Sequence, residues 1–300
     1  MLAFVTGCAA PRTPAERLRH ERLPRPFESM KAIAKPLGPP GPNDWLASHP
    51  EPGQSLAAFL AAPRIRIAPP HDTIDVVFIG EPGRARQRIV ALTADYLGRF
   101  FGTSVRLRPA VQESDLPDSA FRSRPDLGGR QLSSRWVLEW LAARRDTQVF
   151  ATIALSAFDL YPAPTWNFVF GQASPAARAG VWSVFRFGNP DESLAAERLC
   201  LQRTMVTATH EIAHLLPISH CIAYECLMNG SNHLEELDQR PLYLCPPCLA
   251  KLMACSAADP VERARRLAEF HVMHGFPGAE AVNRGIAEAF MHLRGSEVPK

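Results

Sequence analysis

The sequence predicts an α/β (α+β) chain: a mixed twisted sheet with packed helices, one long helix carrying a metal motif, and a smaller cysteine-rich subdomain towards the C-terminus. Three observations predict it. Apolar, β-branched runs alternate with amphipathic stretches between residues 72 and 155. A single helical stretch, Ser193 to Leu216, contains His-Glu-x-x-His. Four cysteines crowd into residues 221 to 248 as two close pairs, a metal-ligand spacing more than a disulfide framework.

The elements follow in order. Thirteen of the 28 prolines precede residue 71, so residues 1–70 read as a Pro-rich arm, extended apart from a helix around Asn43 to Ala62 that packs on the body. Thr73 to Ile79 is a buried strand stopped by Gly80 and Pro82. Arg84 to Phe101 places Ile89, Leu92, Tyr96, Leu97 and Phe100 near one helical face, and Gly102 ends it. Val105 to Val111 reads as a strand, Ser133 to Arg145 as an amphipathic helix, and Val149 to Leu155 as a third buried strand. Asn167 to Gln172 and Gly180 to Phe187 are two further strands. Pro260 to His274 and Ala279 to Arg294 close the chain as helices. The division expected is an arm (1–70), a catalytic domain (71–255) and C-terminal helices packed on it (256–300).

With 46% hydrophobic residues in 300, the chain can bury a substantial core, which excludes disorder throughout. A net charge of only +3 and the lack of a basic run argue against nucleic acid or a membrane surface as partner. No run approaches the roughly 18 apolar residues of a transmembrane helix. Clustered cysteines favour a reducing, cytoplasmic location. The one competing signal is Cys8, preceded by a short apolar run, which would be a lipid-anchored cysteine if the true start lay further upstream.

The chemistry centres on residues 210 to 220. Residues four apart share a helix face, so His210 and His214 can aim imidazole nitrogens at one cation, with Glu211 beside it. Two histidines and a carboxylate among Ile212, Ala213, Leu215 and Leu216 would be costly to bury without a metal. His220 can supply a third ligand if the chain reverses after Leu216, where Pro217 stops the helix. Three neutral imidazoles leave a tetrahedral zinc one open position for water, the mark of a catalytic site. Glu211 would take the proton of that water and pass it to the leaving amine. Cys221, Cys226, Cys245 and Cys248 can form a closed, structural zinc site that pins the segment after His220. Glu225, Glu235, Glu236 and Asp238 outnumber Arg240 and Lys251 there, which opposes phosphate binding.

The segment HEIAHLLPISHCIAYECLMNGSNHLEELDQRPLYLCPPCLAKL, with DWLASHP near residue 44 and FDLYPAPTWNFVFGQAS from Phe158 to Ser174, resembles the archaemetzincins, a branch of the metzincin clan of zinc peptidases, in their eukaryotic-type form. The resemblance implies a metzincin-like zincin fold and two zinc ions per chain. The catalytic one would lie on His210, His214 and His220, with Glu211 as base; the structural one would lie on Cys221, Cys226, Cys245 and Cys248. It also implies that Met228 is a Met-turn residue flooring the catalytic metal, and that Trp166 to Ser174 is a sheet edge able to take an extended peptide. The substrate implied is a peptide or protein. One departure stands out: the family carries glycine where this chain has Pro217, and proline cannot copy a tight glycine turn. Two rivals to a peptidase follow: a catalytically weak, zinc-stabilised peptide-binding protein, and a hydrolase of some non-peptide amide. Cys200 and Cys255 have no evident role, and oligomeric state is not encoded legibly.

Overall fold

In the computed structural model, which describes residues 13–296, the N-terminal segment carries four short helices: α1 (Pro14–His20), α2 (Arg25–Ser29), α3 (Trp45–Ser48) and α4 (Leu56–Ala61). Then come β1 (Thr73–Ile79), α5 (Arg84–Phe101), β2 (Ser104–Leu107), β3 (Phe121–Arg124), β4 (Gly129–Ser133), α6 (Ser134–Ala143), β5 (Ala151–Ser156), β6 (Asp159–Tyr161), β7 (Gly171–Ser174) and β8 (Ala179–Ser183). The chain ends with α7 (Leu194–Leu215), α8 (Leu234–Asp238), α9 (Pro246–Cys255), α10 (Pro260–His274) and α11 (Pro277–Ser296). Cys8 lies outside the described residues.

The main sheet has the order β2-β1-β5-β8-β7. Its first four strands run parallel, and β7 pairs antiparallel with β8 as the edge, Gly171 opposite Trp182. Strand periodicity sends alternate residues of β1 to opposite faces, and both faces are covered. Ile74, Val76 and Phe78 join a core shared with α5 and α7, whereas Val77 and Ile79 join a second core with Val137, Leu138 and Leu141 of α6. That two-sided burial explains why β1 and β5 read as continuous apolar runs. Helix α5 ends where expected, with Gly102 at φ 63 in a left-handed cap that glycine adopts without penalty.

Several elements differ from the sequence reading. The strand foreseen to Val111 ends at Leu107, because Pro109 has no N–H for a ladder; Val111 returns only as a single bridge to Ile79. The edge strand begins at Gly171, since the carbonyls of Trp166 and Asn167 are taken by the Arg122 and Gln131 side chains. A small sheet, β3-β4-β6, had no apolar signature: β3 is Phe-Arg-Ser-Arg and mostly half-buried. The N-terminal segment is more ordered than an extended arm. Its prolines sit where helices tolerate them, as Pro14 does in the first turn of α1 behind a Thr13–Glu16 capping box. Leu23, Phe27, Met30, Leu56 and Phe59 bury their side chains in the main core. No helix of the described residues is long and apolar enough to cross a membrane.

Candidate active site

Helix α7 starts at Ser193, whose hydroxyl accepts from the Ala196 amide at 3.1 Å, and runs beneath the sheet with its middle in the core. Its last turns bring His210 and His214 to one face, the rings meeting edge to face with centroids 4.5 Å apart. The helix stops after Leu215. The Leu216 and Ile218 amides both donate to the Ala213 carbonyl, closing a tight reversal. Pro217 sits inside that reversal at φ 28, a left-handed value against the ring's preference near −65°. The turn that glycine makes freely is therefore made under strain, and it still returns His220: its ring lies 5.1 Å from that of His210 and 5.0 Å from that of His214.

One nitrogen of each ring is already engaged. His210 Nδ1 is 3.0 Å from the Leu227 carbonyl, His214 Nδ1 is 2.8 Å from the Ile218 carbonyl, and His220 Nδ1 is 2.7 Å from the Glu51 carboxylate. Acceptors at Nδ1 fix the proton there, so each Nε2 presents a lone pair. The donor atoms of the three histidines lie within 4.8 Å of one another, with His210 and His214 Nε2 2.9 Å apart. Burial pushes His210 well below its ordinary value and His214 down to about 4, so both rings are neutral at neutral pH. The donor set fits a borderline-soft dication such as zinc.

Glu211 faces the same cleft, and burial pushes its carboxyl up to about 8. A cation held by the three imidazoles would favour its carboxylate over the neutral acid. Its place is made by Gly171 at the start of β7. A Cβ there would come within 2.8 Å of Glu211 Cγ and Oε1, closer than side chains pack. The cleft holds about 580 Å³ and is lined on one side by the segment from Trp166 to Phe170 and the start of β7, Gly171 and Gln172. On its lower side Val206, Thr207, Leu237 and Arg240 line it.

The four paired cysteines also converge. Cys221, Cys226, Cys245 and Cys248 are all buried with sulfurs within 4.8 Å of one another, and Cys221 and Cys245 are 3.7 Å apart. Cys226 Sγ accepts from the Met228 and Cys245 amides at 3.5 and 3.3 Å, and hydrogen bonds from Cys226, Cys245 and Cys248 hold Cys221 well down towards the thiolate. Met228 is fully buried in the turn whose preceding carbonyl, that of Leu227, engages His210. Its own carbonyl accepts from the Cys221 amide at 2.7 Å. Cys200 and Cys255 are buried and lie outside both clusters. Among the residues now in the site, Glu51, Trp45, Gln54 and Gly171 were not singled out from sequence as individual site residues; the hints were the likeness around Asp44 to Pro50 and, for Gly171, the segment Trp166 to Ser174 expected as a sheet edge.

Residues 142–254 match the model described as Peptidase family M54, and together with the archaemetzincin relatives this sets the class: the chain is a zinc metallopeptidase, acting on peptides or proteins. Over 286 residues it is 32% identical to archaemetzincin-2 of Macaca fascicularis, covering 84% of this chain and 79% of that protein. Over 272 residues it is 32% identical to archaemetzincin-2 of Homo sapiens, covering 80% and 75%. The crystal structure of archaemetzincin from Methanopyrus kandleri superposes with a TM-score of 0.51 at 28% identity, covering 62% of this chain and 96% of that one. The chain belongs to the archaemetzincin family.

Proposed function

We propose that the chain hydrolyses peptide bonds at a zinc held by His210, His214 and His220, with Glu211 as general base and then general acid. The carrying observation is the arrangement of the three imidazoles: every Nδ1 has an acceptor and every Nε2 is left for one shared ion on the cleft floor. Bound there, zinc supplies Lewis-acid polarisation of water and of the scissile carbonyl. Glu211 takes the proton of the attacking water and returns it to the leaving nitrogen; burial, which favours its neutral form, suits it to hold that proton between the two steps. The free edge of β7 offers backbone groups to an extended substrate, laying one amide across the floor. Cys221, Cys226, Cys245 and Cys248 hold a second, structural zinc, and Met228 packs beneath the first. Thiols kept as metal donors fit a reducing, cytoplasmic compartment. The binder alternative needed Pro217 to draw His220 away from the other rings, and centroid separations near those of His210 and His214 speak against it.

The test is a peptide library presented to wild type and to Glu211→Gln, with metal content measured on both. Cleavage should stop on chelation and fall about 100- to 10,000-fold in the variant while its zinc stays bound. Equal turnover by the two proteins would refute the role given to Glu211.

A further inference from the structure

The match to the family model begins at residue 142, yet the third histidine is gripped from the N-terminal segment. Glu51 Oε1 accepts from His220 Nδ1 at 2.7 Å and from Trp45 Nε1 at 2.6 Å. Three residues on, Gln54 brackets the strained reversal: Nε2 donates to the Pro217 carbonyl at 3.1 Å, and Oε1 accepts from the Ser219 amide at 3.2 Å. Gln54 is itself held, its carbonyl accepting from buried Lys251 Nζ at 2.5 Å.

A second set of contacts seats the segment. The Trp45 amide donates to both oxygens of Glu236, at 3.0 and 3.1 Å. The Trp45 ring lies on Gly230, where a Cβ would come within 2.4 Å of it. It stacks on His49 with centroids 4.0 Å apart and meets the His220 ring edge-on at 5.3 Å. Gly53 turns at φ 69 in a space where a Cβ would strike Leu18 and Ile222.

Resting on the reading of His210, His214 and His220 as metal ligands, we propose that Glu51 is a positioning residue of the metal centre. Its carboxylate sets the orientation and the Nδ1–H tautomer of His220, and Gln54 holds the turn that delivers that ring. The need is specific to His220. The other two rings lean on backbone carbonyls of Leu227 and Ile218, whereas His220 follows a strained turn and leans on a side chain 169 residues away. A carboxylate on the far nitrogen raises ligand basicity and limits rotation about χ2, and such partners are worth about 10- to 100-fold in metal affinity. The N-terminal segment thereby completes a site that the matched segment contains only in part.

The experiment uses the full chain as wild type, Glu51→Ala, Glu51→Gln and His220→Ala, each titrated with Co²⁺ against a competing chelator. Thiolate charge-transfer bands report the cysteine cluster separately from the weak d–d bands of the histidine site. Glu51→Ala should bind cobalt at the histidine site about 10- to 100-fold more weakly, with the cysteine bands unchanged. Glu51→Gln, whose amide oxygen accepts the same proton, should recover most of the loss. Wild-type affinity in Glu51→Ala alongside loss of the metal in His220→Ala overturns the inference alone. Glu51→Gln as weak as Glu51→Ala overturns the hydrogen-bond assignment. A His220→Ala variant that keeps both the wild-type affinity and the d–d bands overturns the ligand reading and the inference with it.

Discussion

The two donor clusters adjoin in sequence, His220 next to Cys221, and are built in opposite ways. The cysteine cluster is sealed: all four side chains are buried, and backbone amides point at Cys226. The histidine cluster is half-buried and forms the floor of a cleft about 580 Å³ in volume, its rings steadied on the sides facing away from the shared centre. Donor number matters less than what surrounds it. Four sulfurs in a closed shell leave nothing for a substrate to reach, while three nitrogens under a sheet edge leave a position that chemistry can use. The closed cluster also serves the open one, since the turn from Cys226 to Met228 carries the Leu227 carbonyl on which His210 rests.

Removing one proposed ligand from each cluster sharpens that contrast most. Cys226→Ser should unfold or melt the chain, at a cost above about 4 kcal/mol, because an all-thiolate site contributes its binding energy to folding. Both proposed metals should be lost with it. His214→Ala should lose one metal equivalent and its activity while melting near the wild-type temperature. Metal analysis beside thermal unfolding checks both, and similar melting losses in the two variants would erase the division into structural and catalytic sites. A smaller effect is expected where the sheet meets Glu211, the proposed base. In Gly171→Ala the new methyl must displace the Glu211 carboxylate, and misplacing a catalytic group by about 1 Å can cost on the order of 100-fold. Peptidase kinetics should show that loss in kcat with metal content unchanged; wild-type kcat would mean that Glu211 does not depend on this wall.

What the sequence revealed and what it hid divide along the same line. The convergence of His210 and His214 is written in a four-residue helical spacing, and the cysteine cluster in two short spacings, so each could be read locally. The strands β1 and β5 were legible because both of their faces are buried. Glu51, Trp45 and Gln54 obey no such period: they reach the site through tertiary contacts across more than 160 residues, which no spacing rule encodes. Gly171 was hidden for a related reason, since its role is an absence of atoms opposite a side chain from another element. The small sheet β3-β4-β6 escaped because its strands are short and carry arginine and glutamine where an apolar alternation would have marked them.

Pro217 is where local and tertiary information conflict, and the smallest predicted effect lies there. From sequence, a proline at this turn threatened the return of His220; in the fold the ring returns, with the proline at φ 28 and the Gln54 side chain hydrogen-bonded to the Pro217 carbonyl and the Ser219 amide just after it. A residue held in a disfavoured backbone region costs about 1 to 3 kcal/mol. Glycine would release that strain but would return roughly 0.4 to 1 kcal/mol to the unfolded chain as backbone freedom. Pro217→Gly should therefore be modestly more stable, by about 1 kcal/mol, and should bind metal at the histidine site at least as tightly as wild type. Urea unfolding of the metal-loaded pair measures the difference. A destabilised glycine variant would mean that the proline's stiffness, more than the Gln54 clamp, keeps the open cluster assembled.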